Sequence, residues 1–348
     1  MRILLVGSFQ YSIYSPAFEK GFKALGHTVD YIDTNAYHYK GRCFAILDKV
    51  MAKYHIGYPL FKLNRDVKAI VNAFNPDFVF FYNCMDVFAS TYKAIKNNGI
   101  TFFTYTNDDP FSRILNKPWC QKFHRSLPLA NWNFVYRRKN IDDYNEIGVH
   151  NVSLLLPYFI AQSNYPKDLP RSIPLSFMGH WEDDGRDEYI KEILDADLPF
   201  VLFGDDSTWS RSSLYNRLKE KGVLQPRKMG EEYNNTINSL QVAIVFLSKL
   251  NHDTYTRRCF EIPVTKTCML CEYTDDMNEM FPEDKCAVYF RTPEEFRKKA
   301  LGLINNPDEC KRIGEAAFER LKIIGGSELD RCKEIITKYE ELIAKGGS

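Results

Sequence analysis

Two short apolar runs decide the fold: MRILLVGS at residues 1–8 and PLSFMG at residues 174–179. Each run is continuous and closes on glycine, which is typical of a strand buried on both faces of a parallel sheet. Further apolar runs alternate with helical stretches after both, as in a doubly wound α/β fold. Between them, the proline-punctuated segment NYPKDLPR at 164–171 interrupts the periodicity. The sequence therefore predicts two Rossmann-like domains at 1–163 and 173–344 and a linker at 164–172, with the last helix free to pack back on the first domain.

Composition limits the class of protein. The chain has 348 residues, 46 Lys and Arg against 45 Asp and Glu, and a net charge of +1, so any attraction to nucleic acid or to an anionic membrane must be local. Met1-Arg2 runs straight into the first strand, which leaves no room for a signal peptide, and no apolar run is long enough to span a bilayer. We expect a cytoplasmic protein, or one peripheral to the inner face of the membrane. The nine cysteines lack a paired pattern, which favours reduced core thiols over a metal site.

The ends of the first strand of each domain are the expected ligand-binding positions. In open α/β sheets, ligands bind outside the carboxyl ends of the strands. Gly7 and Ser8 follow the first strand of the N-terminal domain, and Gly179 and His180 follow that of the C-terminal domain. We expect the two domains to face each other across a cleft that these four residues line.

The segment NHDTYTRRCFEIPVTKTCML, residues 251–270, carries the clearest chemistry. Asp253 and Glu261 flank Arg257 and Arg258. Guanidinium groups bind phosphate oxygens in a forked geometry, and a carboxylate accepts hydrogen bonds from both ribose hydroxyls. The set therefore fits a nucleoside diphosphate and predicts a nucleotide-sugar transferase. The alternative from spacing alone is a surface helix with mixed charges.

Further cations are expected at the donor. A departing nucleoside diphosphate gains negative charge, which fixed cations and backbone amides stabilise. Lys249 and the amides after Gly179 are candidates, and His180 is a candidate contact to a phosphate or to the sugar. Arg186 has two alternatives, a donor contact or the capping of its own helix. No metal site is predicted.

Two adjacent carboxylates supply a candidate base. Asp108 and Asp109 follow the strand at 101–105 and precede Pro110, which forces a turn. If the reaction inverts the sugar, a carboxylate must activate the acceptor hydroxyl, and Asp108 is slightly favoured. The alternative is that Asn-Asp-Asp-Pro is only good turn chemistry.

The acceptor side carries a local excess of positive charge. Residues 113–139 contain seven Lys or Arg and no Asp or Glu, with aromatic residues between them. Its candidate anion-binding residues are Arg113, Lys117, Arg137 and Arg138. Such a face suits a phosphorylated lipid carrier, an anionic glycan or DNA, and the alternative is an ordinary solvated segment.

Several motifs carry a resemblance to a known family. FMGHW at 177–181, FGDD at 203–206, AIVFLSKLN at 243–251, RRCFEI at 257–262 and the tail EYTDDMNEMF at 272–281 resemble the GT-B glycosyltransferases of the spore-maturation-type (CgeB-like) group. RRCFEI is the most specific, because that group usually carries Arg-x-Phe-Glu there. In the N-terminal half, FFTYTNDDPFSRILNKPW at 102–119 is similar to a stretch of the phage DNA glucosyltransferases.

The resemblance implies roles for individual residues. Glu261 would hold the donor ribose, and one or both of Arg257 and Arg258 would meet the diphosphate. Asp253 stands where related families have the first glutamate of a Glu-x7-Glu signature. Lys266 lies in a segment where relatives have a small glycine, so it either reaches the donor phosphates or sits in solvent.

These observations predict a glycosyltransferase that moves a sugar from a nucleotide donor, with UDP as the expected carrier, to a hydroxyl on a glycan, glycolipid or protein. The expected reaction is inverting, needs no metal or other cofactor, and leaves the oligomeric state open. The alternatives are a glycosyltransferase acting on hydroxylated DNA bases, a nucleotide-sugar epimerase, and a non-catalytic two-lobed binding protein.

Overall fold

The fold is described from a computed structural model, which covers residues 1–38, 45–54, 56–112 and 118–346. The chain forms two compact units. The first comprises Met1–Leu156 with Glu328–Ser348, and the second comprises Pro157–Ser327. The predicted linker at 164–172 therefore lies inside the second unit, and the division of the chain comes before it.

The first unit contains a six-stranded parallel sheet in the order β2-β1-β3-β4-β5-β6. Its strands are β1 (Arg2–Gly7), β2 (Thr28–Asp33), β3 (Phe78–Tyr82), β4 (Thr101–Thr106), β5 (Trp132–Val135) and β6 (Val152–Leu154). Its helices are α1 (Ser15–Ala24), α2 (Ala45–Tyr54), α3 (Tyr58–Phe74), α4 (Ala89–Asn97), α5 (Pro118–His124), α6 (Arg138–Glu146) and α15 (Glu328–Gly346), the last helix of the chain. All five residues of β3 are buried, as expected for a central strand covered on both faces.

The last helix returns to the first unit through close packing on α1. Gly21 makes the approach possible, because a Cβ atom there would come within 2.7 Å of the Cys332 sulfur. On the same helix, the ring of Tyr339 lies 5.2 Å from that of Phe78. These contacts bury one side of α15 against the sheet of the first unit.

The second unit also contains a six-stranded parallel sheet, in the order β12-β11-β10-β7-β8-β9. Its strands are β7 (Ile173–Met178), β8 (Phe200–Gly204), β9 (Leu224–Pro226), β10 (Leu240–Val245), β11 (Cys268–Glu272) and β12 (Val288–Phe290). Its helices are α7 (Arg186–Asp195), α8 (Asp206–Trp209), α9 (Tyr215–Glu220), α10 (Gly230–Asn238), α11 (Arg258–Val264), α12 (Asp275–Met280), α13 (Pro293–Ile304) and α14 (Pro307–Ile324). This strand order is that of a Rossmann fold, and the order of the first sheet is the related flavodoxin-like one, so both predicted doubly wound sheets are confirmed.

Strand order also fixes where each unit can bind a ligand. In the second sheet the connections reverse direction between β7 and β10, and in the first between β1 and β3. At such a reversal, the loops after the two strands diverge and leave a crevice at the carboxyl ends. Among the described residues, no helix has both the length and the apolar character required to cross a bilayer.

Candidate active site

The loops after β7 and β10 meet at the strand reversal of the second sheet. The first loop contains Gly179, His180 and Gly185, and the second contains Ser248 and Lys249. The Ser248 hydroxyl donates to Glu182 Oε2 at 2.5 Å, and a Cβ atom on Gly185 would lie 3.4 Å from Lys249 Nζ. The two loops, which contain the predicted donor-binding residues His180 and Lys249, are therefore neighbours.

Glu261 is held by two donors from different elements. Arg257 Nε donates to its Oε1 at 2.6 Å, and the Tyr233 hydroxyl, on α10, donates to its Oε2 at 2.6 Å. The guanidinium of Arg257 also lies over the Tyr158 ring, 5.1 Å from its centre. Burial, and then the charge of Glu261, raise the pKa of the Tyr233 phenol well above its usual value, so Tyr233 keeps its proton and remains a donor.

The buried Glu261 carboxylate still has acceptor capacity. Its residue is only 7% exposed, and a carboxylate offers about four lone-pair positions, of which Arg257 and Tyr233 use one on each oxygen. The remaining positions are in a fixed orientation, because both oxygens are anchored. This is the geometry needed to accept a pair of hydroxyl groups.

Arg258 differs from its neighbour Arg257. Its Nε is buried and has no hydrogen-bond partner, and its side chain lines a small cavity with Ser176 and Tyr233. The Ser176 hydroxyl is also buried without a partner. Buried guanidinium N–H groups almost always have a hydrogen-bond partner. Among the residues predicted to bind the nucleotide-sugar, Arg258 is therefore the best candidate to bind an anion.

The loop after β7 is rigidly held by Arg186. This arginine is 4% exposed, and its Nε and Nη2 donate to the two oxygens of Asp184 at 2.8 and 2.5 Å. Its Nη1 donates to the His180 carbonyl at 2.5 Å. The sequence allowed two roles for Arg186, a contact to the sugar donor or the capping of its own helix. The structure shows neither, because the guanidinium is hydrogen-bonded to Asp184 and to the backbone of the loop. We assign it to loop positioning.

His180 and Lys249 remain accessible at this edge. His180 Nε2 lies 2.7 Å from Glu182 Oε1, and more than half of each side chain, His180 and Lys249, is exposed. Burial of Glu182 raises its pKa, but the hydrogen bonds from His180 and Ser248 and the charge of Arg186 outweigh that effect and lower the pKa to about 2. Glu182 is therefore a fixed negative charge that orients the imidazole.

Lys249 lies 3.7 Å from Glu272, the last residue of β11. Burial raises the pKa of Glu272, and the Leu247 N–H and the charge of Lys249 only partly oppose it. The Lys249 ammonium group therefore lies next to the largely buried carboxyl group of Glu272, at the edge of the sheet where the strands end.

Two further predicted residues have structural contacts. The Gly179 N–H donates to the Phe203 carbonyl at 2.9 Å, and the Gly179 carbonyl accepts from Trp209 Nε1 at 2.9 Å. Gly179 is therefore tied to the neighbouring strand. Asp253 is half-buried in the loop after β10, where its N–H donates to the Ser248 carbonyl at 2.9 Å.

The structure does not bring Lys266 to this site. The short helix α11 carries the chain away from Arg258, and Lys266 precedes β11, at the amino edge of the sheet. There its ammonium lies over the Phe318 ring at 5.1 Å, and its backbone has a left-handed φ of 58°. This position contradicts the alternative that Lys266 reaches the donor phosphates, because those phosphates would lie at the carboxyl edge of the sheet.

In the first unit, Gly7 and Ser8 end the central strand β1. A Cβ atom on Gly7 would clash with the Ser15 hydroxyl and would lie 3.0 Å from the Tyr82 carbonyl, so only glycine fits between α1 and β3. Ser8 Oγ accepts from the Asn35 amide at 2.7 Å. Both residues lie beside the strand reversal, as the sequence predicted for that edge.

The paired aspartates after β4 have different surroundings. Asp109 is fully buried, and its Oδ1 accepts from Asn140 Nδ2 at 2.8 Å and from the Phe111 N–H at 3.0 Å. Asp108 is half-exposed and accepts from Asn83 Nδ2 at 3.0 Å. Asp109 therefore stabilises its loop, whereas Asp108 has a carboxylate that a substrate can reach.

The predicted basic face is smaller than its sequence indicates. Arg137 is 1% exposed, its Nη1 donates to the Asn107 carbonyl at 2.9 Å, and its guanidinium lies over the Tyr136 ring. It is a buried structural residue, so its prediction as an anion-binding residue is corrected. Arg138 is exposed at the start of α6, and Arg113 and Lys117 lie outside the described residues.

Sequence reasoning missed Tyr233, Glu182, Asp184 and Glu272. Tyr233 lies on a polar helix, and nothing in its spacing indicates that it reaches Glu261. Glu182 and Asp184 gave a weak signal, because they stand between His180 and Arg186 in a loop already singled out. Glu272 appeared only as the first residue of the motif at 272–281 and was given no role.

Comparison with known proteins gives a family match for part of the chain. Residues 186–323 match the family model described as Glycosyl transferase-like, which covers less than half of the chain and includes Arg258 and Glu261. No curated protein matches the sequence.

Solved structures match over nearly the whole chain at low identity. Sucrose-phosphate synthase from Thermosynechococcus elongatus has a TM-score of 0.71 and 12% identity, covering 99% of this chain and 100% of its own. A glycosyltransferase from Rickettsia africae has a TM-score of 0.70 and 15% identity, covering 98% of both chains. HepE from Anabaena, in complex with UDP, has a TM-score of 0.66 and 10% identity, covering 98% of this chain and 100% of its own. The chain therefore has the GT-B fold, and the family match over residues 186–323 confirms the predicted function class, a glycosyltransferase.

Proposed function

We propose that the chain transfers a sugar from a nucleotide-sugar donor to an acceptor hydroxyl, and that the donor binds at the carboxyl edge of the second sheet. The observation that carries this proposal is the presence, on the same short helix, of Arg258, whose buried Nε has no partner, and Glu261, an anchored carboxylate with spare acceptor positions. A cation and a carboxylate next to each other match a phosphate and a ribose.

The proposed orientation of the donor follows from these two residues. Glu261 accepts from the two ribose hydroxyls, and Arg258 donates to the diphosphate. Lys249 and His180, which are exposed at the same edge, are proposed as further contacts to phosphate or sugar, and Asp253 as a contact from the neighbouring loop. The UDP complex of HepE supports UDP as the nucleotide.

The proposed reaction inverts the sugar. Asp108 accepts the proton of the acceptor hydroxyl, which attacks the anomeric carbon as the bond to the diphosphate breaks. Arg258 and Lys249 stabilise the charge that develops on the leaving diphosphate, so side chains supply the positive charge and the reaction is proposed to be metal-independent. Arg186 and Glu182 act indirectly, by holding the loop after β7.

The acceptor is proposed at class level. A hydroxyl on a glycan, glycolipid or protein is favoured, and a hydroxylated DNA base is the alternative that the phage-like stretch supports. Membership of the spore-maturation-type group rests on the motif resemblance, of which Arg257–Ile262 is the most specific part.

Calorimetric titration with UDP, GDP and dTDP tests donor binding first. We expect one nucleotide to bind to the wild type and to bind more weakly to Arg258→Ala, while an exposed change on the last helix, Lys333→Ala, leaves affinity unaltered. Incubation with labelled UDP-sugars then separates the functions. Free UDP with transferred or hydrolysed sugar supports the transferase, an isomerised sugar still linked to UDP supports an epimerase, and binding without turnover supports a binding protein.

A further inference from the structure

A patch of exposed apolar side chains lies in the first unit, far along the chain from the donor site. Among the described residues, sixteen large hydrophobic side chains are exposed, and seven of them fall within residues 46–61. They are Ile46, Leu47, Val50, Tyr54, Ile56, Tyr58 and Phe61. Because exposed hydrophobic residues are normally scattered, this concentration indicates a surface that is covered by something else. We name it the α2–α3 surface.

The spacing of these residues aligns them along α2. Ile46, Val50 and Tyr54 stand four residues apart, so they share one side of the helix, and Leu47 lies next to them. Tyr58 and Phe61 continue the apolar surface on the first turn of α3. Ile46 is 75% exposed and Phe61 is 61% exposed, so most of each side chain is not covered by its own unit.

The sequence around the apolar residues is basic. Residues 40–68 contain seven Lys or Arg and two Asp, whereas the whole chain has nearly equal numbers of acidic and basic residues. The structure brings part of the basic segment 113–139 to the same place, because Lys122 on α5 donates to the Tyr54 carbonyl at 3.2 Å. Lys49, Lys122 and Arg125 are exposed. The apolar stripe therefore has exposed, positively charged side chains beside it.

We propose that the α2–α3 surface docks on an anionic lipid bilayer. Aliphatic and aromatic side chains enter the boundary between headgroups and acyl chains, while lysines and arginines bind the negatively charged headgroups. The charge pattern disfavours a second copy of this chain, since a two-fold contact would bring the same basic residues together. The proposal goes beyond sugar transfer and does not depend on it.

Co-sedimentation of the full chain with vesicles tests this surface. We expect binding to phosphatidylcholine vesicles that contain phosphatidylglycerol, little binding to phosphatidylcholine alone, and weaker binding at high salt because screening reduces headgroup attraction. The double change Ile46→Ser with Val50→Ser should lower the partition coefficient at least about tenfold. Lys49→Glu should lower it for the anionic vesicles.

The matched control is Ile343→Ser, which removes an exposed isoleucine from α15 of the same unit and should leave vesicle binding unchanged. Melting curves of all variants check that the fold is intact. Absence of binding to anionic vesicles, or equal binding by the double variant and the control, would overturn the proposal. Self-association of the wild type that the double variant loses would assign the surface to a dimer contact and also overturn it. UDP binding serves as an independent readout, which these changes should not alter.

Discussion

Arg257 and Glu261 form an ion pair of 2.6 Å between Nε and Oε1, one helical turn apart at the start of α11. The next residue, Arg258, keeps a buried Nε without a partner. Two adjacent arginines thus have different contacts: Arg257 fixes the carboxylate, whereas Arg258 is the one that we propose binds a ligand anion. This difference is the basis of the first prediction.

Arg258→Ala should weaken UDP binding about tenfold to a hundredfold, because charge-assisted hydrogen bonds contribute about 1.5–3 kcal/mol. The melting temperature should stay the same or rise, since the change removes a buried donor without a partner. Calorimetric titration and a thermal melt measure the two effects on one sample.

The matched variant is Arg257→Ala. It should cost about 1–3 kcal/mol of unfolding free energy, because Glu261 would keep its burial but lose its charged partner. If Arg257→Ala weakened UDP binding without loss of stability while Arg258→Ala destabilised the fold, the two roles would have to be exchanged.

Glu261→Ala tests the ribose assignment. Loss of the carboxylate should weaken UDP binding by about 1–3 kcal/mol, because the ribose hydroxyls lose their acceptor. The same titration with 2′-deoxy-UDP sharpens the test: the wild type should prefer UDP, and the variant should bind both nucleotides alike. Glu319→Ala, an exposed change on α14, serves as the control. A preference for UDP that survives in Glu261→Ala would assign the ribose to another residue.

The sequence predicted both sheets because strands buried on both faces, such as Ile3–Val6, are continuous apolar runs that spacing alone reveals. Local spacing also placed Arg257 and Glu261 one helical turn apart, and the structure shows them as an ion pair; the donor-binding role of this segment stays a prediction. Local spacing could not predict Tyr233, because that contact joins two elements distant in sequence. The sequence also could not show that Asp184 binds the Arg186 guanidinium. An arginine that is paired inside its own loop and one that is left for a ligand look the same in sequence.

Lys266 shows a second limit. It follows Arg258 by only eight residues, but α11, about 10 Å long at 1.5 Å per residue, leads from the loop after β10 towards the start of β11, at the opposite edge of the sheet. Short sequence separation therefore did not mean proximity to the ligand. The edge on which a residue lies follows from the direction of the helix between the strands.

Lys266→Gly should leave UDP affinity unchanged and raise stability. Lys266 has a left-handed φ of 58°, which a glycine adopts without steric cost, so the change should add about 0.5–1 kcal/mol to the free energy of unfolding. Denaturant titration measures the gain, and calorimetric titration measures affinity. A loss of UDP affinity on this substitution would return Lys266 to the donor site.

Asp108 and Asp109 should separate catalysis from stability. Asp108→Asn should lower kcat about a hundredfold to ten-thousandfold with little change in melting temperature, because it removes the proposed base from a half-exposed position. Asp109→Asn should instead cost about 1–3 kcal/mol of stability, since an amide nitrogen would replace a carboxylate oxygen within a fully buried hydrogen-bond set. Turnover of labelled UDP-sugar and thermal melts measure both. Full turnover by Asp108→Asn would exclude it as the base.

Glu182 should make the stability of the second unit depend on acidic pH. Its pKa is about 2 in the folded chain against an ordinary value of 4.5. Because the folded value is the lower one, the charged form stabilises the fold above pH 4.5, and this contribution disappears as the pH falls from 4.5 towards 2. The difference corresponds to about 3 kcal/mol.

Glu182→Gln removes this contribution at every pH. The gap in unfolding free energy between wild type and variant should therefore be largest near neutral pH and should close as the pH approaches 2. Denaturant titrations across this range measure it, with Glu188→Gln, an exposed change on α7, as the control whose gap stays small throughout. A gap for Glu182→Gln that remains constant with pH would mean that His180, Ser248 and Arg186 do not stabilise the charged carboxylate, and the loop after β7 would then lack its proposed electrostatic anchor.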